Sequence, residues 1–485
     1  MNIKTRIAPS PTGYLHVGSL RTALYNYLFA KKHKGSFVLR VEDTDRNRLV
    51  EGAIESLIRT MQAVGITYDE GPVLNKDGTL SELGDNGSYI QSERLDIYKE
   101  HAKILIENKS AYHCFCSKDR LDELRSQQQL AKMQTKYDRA CCKLSEDEVE
   151  SRIEKGEPHV IRLLLPEGET TFHDEVRGSI TINNSEIDDQ VLVKTDGFPT
   201  YHLAVVVDDH LMGITHVIRG EEWISSVPKH VILYNAFGFN LPTFAHLPLI
   251  LNPDRSKLSK RQGDVAVEDF LEKGYLPEAL INYVALLGFN PSADREIYSI
   301  DELIQAIDLS KINKSGAIFD LKKLDWMNSQ YLKALDADSL LHWAGKFDGQ
   351  VEQEMLKKIL VVEKERLSNR SELEEKLQIY TKQPDYDPQI LVWKKTDAQD
   401  ARTQLAQLLE FINSQDSSIF KSSELIEEAI KRYIVDNGLQ NGNVLWPMRV
   451  ALSGAKNSPS PFELAWVFEK DETVRRLEKA LQLLK

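Results

Sequence analysis

The sequence predicts an α/β domain built on a parallel sheet, interrupted by an α+β insertion and followed by all-α domains. Three observations carry this. Short apolar segments at 2–8 and 36–41 flank a stretch where Leu20, Ala23, Leu24, Tyr27 and Leu28 fall at helical spacing, a β–α–β pattern. Between about residues 105 and 194 that rhythm breaks into short strands around four cysteines. Beyond about residue 262 helical periodicity takes over, without strand alternation or internal repeat.

At 485 residues the chain exceeds one core, and about three or more domains are expected. Hydrophobic content of 41% and charged content of 28% describe a soluble globular protein. No apolar run approaches the ~20 residues needed to span a bilayer. Met1 leads straight into the first strand, with no room for a signal peptide, so a cytoplasmic location is expected. The net charge of −13 argues against indiscriminate nucleic-acid binding, while a local basic face remains compatible with an RNA partner. Cys114, Cys116, Cys141 and Cys142 share one short segment, which favours metal binding or reduced thiols over a disulfide framework.

The first strand stops at the turn Pro9-Ser10-Pro11-Thr12-Gly13, and a helix follows with Ser19 as its expected N-cap. Strand, tight loop and helix N-terminus together form a phosphate site, because the helix presents unpaired N–H groups and the positive end of its dipole. Gly18 removes a side chain that would block a close ligand, and His16 adds a donor. The strand at 36–41 ends in Glu42-Asp43-Thr44-Asp45-Arg46. Carboxylates at the carboxyl end of a parallel strand face the ligand crevice, although an acidic solvated turn has the same composition.

Residues 52–64 read as an amphipathic helix and 75–88 as a polar, glycine-rich surface loop without assigned function. Gln91 opens a helix reaching about Asn108. In the irregular stretch, Cys114-Phe115-Cys116 precedes a charged helix at 118–133 and then Tyr137 to Cys142, with short strands at 160–165 and 179–182. Three or four soft ligands would satisfy a tetrahedral Zn²⁺; packed, metal-free cysteines are the alternative. The sheet is expected to resume at 190–195, turn at Asp196-Gly197 and continue as a strand through 199–209. Arg219 ends a further strand at 215–218, a poor place for a core residue but a good one for bidentate capture of a carboxylate. A surface salt bridge is the plainer alternative. Lys257-Leu258-Ser259-Lys260-Arg261 follows an apolar stretch at 247–251 and reads as a polar basic loop. Helices are expected at 280–288 and 300–307 and from Asp325 onward, with loops at 383–388 and 436–443.

Read together, these strings resemble a known family. Ala8 to Ser19 resembles the first signature of class I aminoacyl-tRNA synthetases, in the Ala-Pro-Ser-Pro-Thr-Gly form of the glutamyl-tRNA synthetases, with Ser19 in place of the second histidine. Val41 to Arg46 is the next such string, and Lys257 to Arg261 resembles the Lys-Met-Ser-Lys-Ser signature. The resemblance runs the whole length. It implies a Rossmann-type catalytic domain in two halves, 1–104 and 195–255, around an insertion at 105–194 that grips the acceptor end of tRNA. A connecting domain at 256–324 and two helical anticodon-binding subdomains, 325–380 and 381–485, would follow; Trp446 to Gly454 resembles a turn of that region.

The implied activity is ATP-dependent ligation of L-glutamate to tRNA(Glu) through a glutamyl-adenylate, with Mg²⁺ accompanying ATP and the enzyme acting as a monomer. His16, Lys257 and Lys260 would be catalytic. Pro9, Ser10, Pro11, Thr12, Gly13, Gly18 and Ser19 would line the ATP site with Glu222, Leu258, Ser259 and Arg261, the main chain at Leu249 and Ile250 receiving adenine. Arg6 and Arg219 would clamp the side-chain carboxylate of glutamate, Glu42 would hold its α-ammonium, and Ala8, Ser10, Tyr201 and Val205 would complete the pocket. Val205 stands where part of the family has Asn. Cys-x-Cys followed by Tyr-x-x-x-Cys resembles the zinc pattern of some members; Lys143 replaces the expected histidine, so Tyr137 or Cys142 would join Cys114, Cys116 and Cys141 around a structural ion. Glutaminyl-tRNA synthetases would lack an arginine matching Arg219 and would end in β-barrels rather than helices.

Overall fold

The computed structural model describes residues 2–258, 265–347, 351–382, 384–394 and 396–484. The chain forms two compact units, one of residues 1–270 with 280–320 and the other of 271–279 with 321–485.

The first unit begins with β1 (Lys4–Ile7), α1 (Val17–Lys32) and β2 (Ser36–Leu39). β1 and β2 pair in parallel, Arg6 opposite Val38, so the β–α–β pattern is borne out. Helix α1 starts two residues before the expected cap. His16 takes that position in extended conformation, and its Nδ1 accepts the Gly18 N–H at 2.9 Å. The imidazole does what a serine at this position would do. Helix α2 (Ala53–Ala63) follows. The presumed loop at 75–88 is in large part a hairpin, β3 (Gly71–Leu74) against β4 (Leu80–Leu83), with Val73 opposite Ser81. Helix α3 (Leu95–Glu107), β5 (Ala111–Cys114), α4 (Lys118–Leu130), α5 (Glu146–Glu154) and β6 (Val160–Leu163) come next.

Two strands of the irregular stretch, β7 (Glu169–Asp174) and β8 (Gly178–Asn183), extend another sheet. With β9 (Val191–Val193), α6 (Tyr201–Leu211), β10 (His216–Gly220), α7 (Val227–Phe237) and β11 (Thr243–Leu247) placed, the four-stranded order is β10-β11-β7-β8. Thr215 N–H bonds Lys4 C=O at 2.9 Å, which brings β10 alongside β1. The expected strand at 199–209 is instead α6. Val205-Val206-Val207 favours a strand by local preference, but the segment is buried all round, and periodicity cannot separate a buried strand from a buried helix. Its core partners include Leu233 and Leu192.

The unit closes with β12 (Ile250–Leu251), α8 (Val267–Glu272), α9 (Pro277–Ala285), α10 (Ile300–Ala306) and β13 (Ala317–Ile318), β12 and β13 pairing in parallel. Helices α8 and α9 run across the division between the units.

The second unit is helical: α11 (Leu321–Ala334), α12 (Ala337–Ala344), α13 (Gln353–Glu363), α14 (Ser371–Thr381), α15 (Ala398–Ser414), α16 (Ser423–Asp436), α17 (Asn441–Ser453) and α18 (Pro461–Leu483), the last kinked at Glu469. Leu356, Leu405, Ile430, Met448 and Leu477 meet in its core. The buried guanidinium of Arg476 bonds the carbonyls of Ile379, Leu452 and Lys382, tying three segments together. Trp446 to Ser453 is helix rather than turn; only Gly454, with φ of +71°, turns the chain. No described helix is long and apolar enough to cross a membrane.

Candidate active site

A cavity of about 720 Å³ opens at the carboxyl ends of β1, β2 and β10, beside the N-terminus of α1. That is the place where open α/β sheets bind ligands, and the volume suits a nucleotide together with an amino acid. Its wall includes Arg6, Ala8, Pro9, Ser10, His16, Gly18, Ser19, Glu42, Tyr201, Arg219, Glu222, Leu249, Ile250, Lys257 and Leu258, so segments distant in sequence converge on it. Pro11, Thr12 and Gly13 line a smaller neighbouring pocket with Pro9 and Ser10. Val205 lines neither; it packs in the core under α6, and its expected pocket contact is not formed. Ser259, Lys260 and Arg261 lie outside the described residues.

The loop after β1 is fixed from both sides. Glu42 N–H bonds Pro9 C=O at 3.0 Å, Val50 N–H bonds Pro11 C=O at 3.1 Å, and Val17 N–H bonds Val265 C=O at 2.9 Å. Leu258 N–H bonds Ile250 C=O at 3.0 Å, so Lys257 is brought to the wall by a short antiparallel return onto Leu251. With Gly18 N–H directed at Nδ1, the neutral ring of His16 carries its proton on Nε2. A Cβ at Gly18 would come within 3.1 Å of that same Nδ1, so the glycine makes room for the imidazole as well as for a ligand.

Three main-chain groups expected to receive adenine are engaged within the protein. Leu249 N–H goes to Glu221 Oε1 at 2.7 Å, and Leu249 C=O takes the Ala317 N–H at 2.9 Å; the Ile250 C=O is the one bonded to Leu258. Glu221 is also paired with Arg177. Glu222 reaches the wall because Gly220 has no side chain: a Cβ there would meet its carboxylate at 2.2 Å.

The amino-acid end of the cavity is a charged network. Arg219, 5% exposed, donates from Nη1 to the Tyr201 hydroxyl at 2.6 Å and from Nε to His246 Nε2 at 3.0 Å, and its Nη2 lies 3.4 Å from His230 Nδ1. Trp223 packs on the Tyr201 ring, centroids 4.3 Å apart. Burial and the nearby Arg219 push His230 well below its ordinary value, and burial with Lys229 and Arg219 takes His202 down to about 3. Arg219 is therefore surrounded by neutral partners and keeps its charge for a ligand. Arg6 differs: its guanidinium is held by Asp209 at 3.1 and 3.3 Å, and Asp209 also binds Arg40 at 2.7 Å. Burial raises the Asp209 carboxyl, but Arg6 and Arg40 outweigh it and leave it below the usual range. Glu42 bonds Arg40 at 3.2 Å. Burial pushes it up to about 7 despite Arg40 and Arg6.

Sequence reasoning missed Asp209, His230, His246 and Asp174, which organise these guanidinium groups from outside any motif. Asp208-Asp209 was visible only as the end of a presumed strand. The others are isolated residues without a spacing signal.

In the irregular stretch, the Cys114, Cys116 and Cys141 sulfur atoms lie within 4.8 Å of one another. The Tyr137 hydroxyl sits 3.4 Å from Cys114 Sγ and 3.3 Å from Cys116 Sγ. Cys142 is exposed and outside the cluster, so of the two candidates to complete a tetrahedral shell the geometry favours Tyr137. The three sulfurs are compatible with a structural Zn²⁺, and the Tyr137 hydroxyl lies beside them.

Comparison with known proteins agrees along the whole chain. Residues 2–326 match the family described as tRNA synthetases class I (E and Q), catalytic domain, and 332–481 match an anticodon binding domain. Glutamate–tRNA ligases of Clostridioides difficile and Alkaliphilus metalliredigens are each 46% identical over 492 residues, covering 98% of both chains. The crystal structure of a glutamate tRNA ligase from Elizabethkingia meningosepticum in complex with its amino acid matches with a TM-score of 0.89, 36% identity and full coverage of both chains. The glutamate-tRNA synthetase of Elizabethkingia anophelis gives 0.87 at 35% identity, covering 99% of this chain and 100% of its own.

Proposed function

Since the chain belongs to the glutamate–tRNA ligases, class I aminoacyl-tRNA synthetases that glutamylate tRNA(Glu) at the expense of ATP, we propose how its own residues divide that work. Arg219 takes the side-chain carboxylate of glutamate and Glu42 its α-ammonium. Arg6, braced by Asp209, lines the same end as a fixed positive charge. The observation that carries this is Arg219 itself: a buried guanidinium on the cavity wall whose bonded partners among the described residues are all neutral. A neutral amide would leave that charge uncompensated, and this separates glutamate from glutamine.

The nucleotide lies along the 9–19 loop, its phosphates toward the N-terminus of α1 and the Nε2–H of His16, with Glu222 toward the ribose and Leu249 and Ile250 beside the base. Glutamate's α-carboxylate attacks the α-phosphorus, forming a mixed anhydride and releasing pyrophosphate. Lys257 and Lys260 neutralise the charge that builds on the departing phosphates. A ribose hydroxyl of the terminal tRNA nucleotide, the 2′-hydroxyl on this reading, then attacks the activated carbonyl and AMP leaves. Mg²⁺ supplies further charge neutralisation when it accompanies ATP; Glu42 and Asp45 are already paired with Arg40 and Arg48.

The insertion receives the acceptor end of tRNA, stiffened by Zn²⁺ on Cys114, Cys116, Cys141 and Tyr137, and the helical unit receives the anticodon. The same reading has the enzyme work as a cytoplasmic monomer. Steady-state charging kinetics test the core of the proposal. Arg219→Ala is expected to raise the KM for glutamate far more than that for ATP, and an equal rise in both would remove the assignment. Charging of tRNA(Glu) and tRNA(Gln) side by side defines the range of tRNA substrates.

A further inference from the structure

Arg219 is held by a chain of buried groups that begins at the far end of another strand. Asp174 closes β7, and its Oδ1 accepts N–H bonds from Val176 at 3.1 Å, Arg177 at 2.8 Å and His246 at 3.3 Å. Its Oδ2 lies 2.6 Å from His246 Nδ1. Both side chains are fully buried. A carboxylate so placed only accepts, so Nδ1 carries the proton and Nε2 presents a lone pair. That lone pair faces Arg219 Nε–H at 3.0 Å. On the other side of the guanidinium, Tyr201 and the His230–His202 pair, 3.1 Å apart, complete the support.

We infer that Asp174 and His246 are positioning residues for glutamate selection: Asp174 fixes the His246 tautomer, and His246 fixes the plane and reach of Arg219. This rests on the reading of Arg219 as the glutamate side-chain ligand. Two consequences follow from the geometry. Among the described residues Arg219 has no direct carboxylate partner, so orientation is gained while its charge stays available. The counter-charge lies one imidazole away, on a strand contributed by the irregular stretch rather than by the strand that carries Arg219. Reversal of the tautomer would set an N–H against an N–H and push the guanidinium off its line.

Asp174→Asn reverses it with little change of shape. The amide keeps the oxygen that the turn needs and directs an NH₂ at Nδ1, which moves the ring proton to Nε2. His246→Leu removes the link, and His246→Gln restores it, because a glutamine amide offers an N–H to Asp174 and an oxygen to Arg219. The experiment measures KM for glutamate, ATP and tRNA in aminoacylation by the full chain, for these variants and for Arg219→Ala. Loss of a hydrogen bond to a charged group predicts a rise of about ten- to a hundredfold in the glutamate KM for Asp174→Asn and His246→Leu, with the ATP KM unchanged and most of the loss recovered in His246→Gln. If Arg219→Ala shows the selective glutamate defect while Asp174→Asn and His246→Leu leave the glutamate KM alone, or raise both KM values in parallel, the positioning role is wrong. The same holds if His246→Gln is no better than His246→Leu. If Arg219→Ala itself spares the glutamate KM, the underlying assignment fails first.

Discussion

Glu42 and Arg219 present opposite charges to one cavity, and both act on Tyr201, whose hydroxyl their fields pull in opposite directions while burial raises it. Glu42 carries a pH dependence. Burial pushes its carboxyl up to about 7, so in the role proposed for it the group is protonated below that, with no charge to offer an α-ammonium, and charged above it. The KM for glutamate should therefore fall as pH rises from 6 to 8, by up to about tenfold per unit below the midpoint. His202 and His230, both shifted down, stay neutral across that window and do not confuse the profile. Glu42→Gln should flatten it, and a pH profile identical to that of the parent enzyme would show that Glu42 does not hold the ammonium. The sign for stability is the reverse of a salt-bridged acid: ionising a raised carboxyl costs the folded state, and that cost appears as pH climbs from its unfolded value toward 7. Asp209 is of the other kind. It joins Arg6 to Arg40, and breaking such a buried pair by removing one partner costs about 3–5 kcal/mol.

At the scale of elements, β1, α1, β2 and β10 were legible because each has one period and a clear stop, and the strings at 8–19, 41–46 and 215–223 stand at their ends. Helix α6 was not, since its run of valines is buried all round and only tertiary packing selects a helix there. The β3–β4 hairpin hid in polar residues: Asn75 to Thr79 looks like loop because it is the turn, and the short strands beside it are partly exposed. Helix α1 begins three residues earlier than a Ser19 cap allows, because a histidine cap has no place in a pattern built on Ser, Thr, Asp and Asn. The cysteine segment was legible in composition, and its packing chooses Tyr137 over Cys142. Metal analysis of the purified enzyme is expected to find one zinc per chain, lost in Cys116→Ser and retained in Cys142→Ser. Zinc absent from the parent protein, or lost in Cys142→Ser, would contradict that ligand set.

At the scale of the molecule, the catalytic unit gathers strand ends from both sides of a long irregular stretch, and that stretch adds β7 and β8 to the sheet it interrupts. The Asp174–His246–Arg219 chain exists only because β7 lies beside β11, and no local pattern in the sequence announces that neighbour. Leu258 N–H bonds Ile250 C=O and Val17 N–H bonds Val265 C=O, so the described residues on either side of the second signature rest on elements that line the cavity. In the function we propose, one cavity holds the nucleotide and selects an acidic side chain with the Arg219 guanidinium. Calorimetric binding of a non-hydrolysable glutamyl-adenylate analogue, against its glutaminyl counterpart, tests it most directly. A preference of at least about a hundredfold for the glutamyl compound is expected, abolished in Arg219→Ala. Equal affinity for the two analogues in the parent enzyme would contradict it.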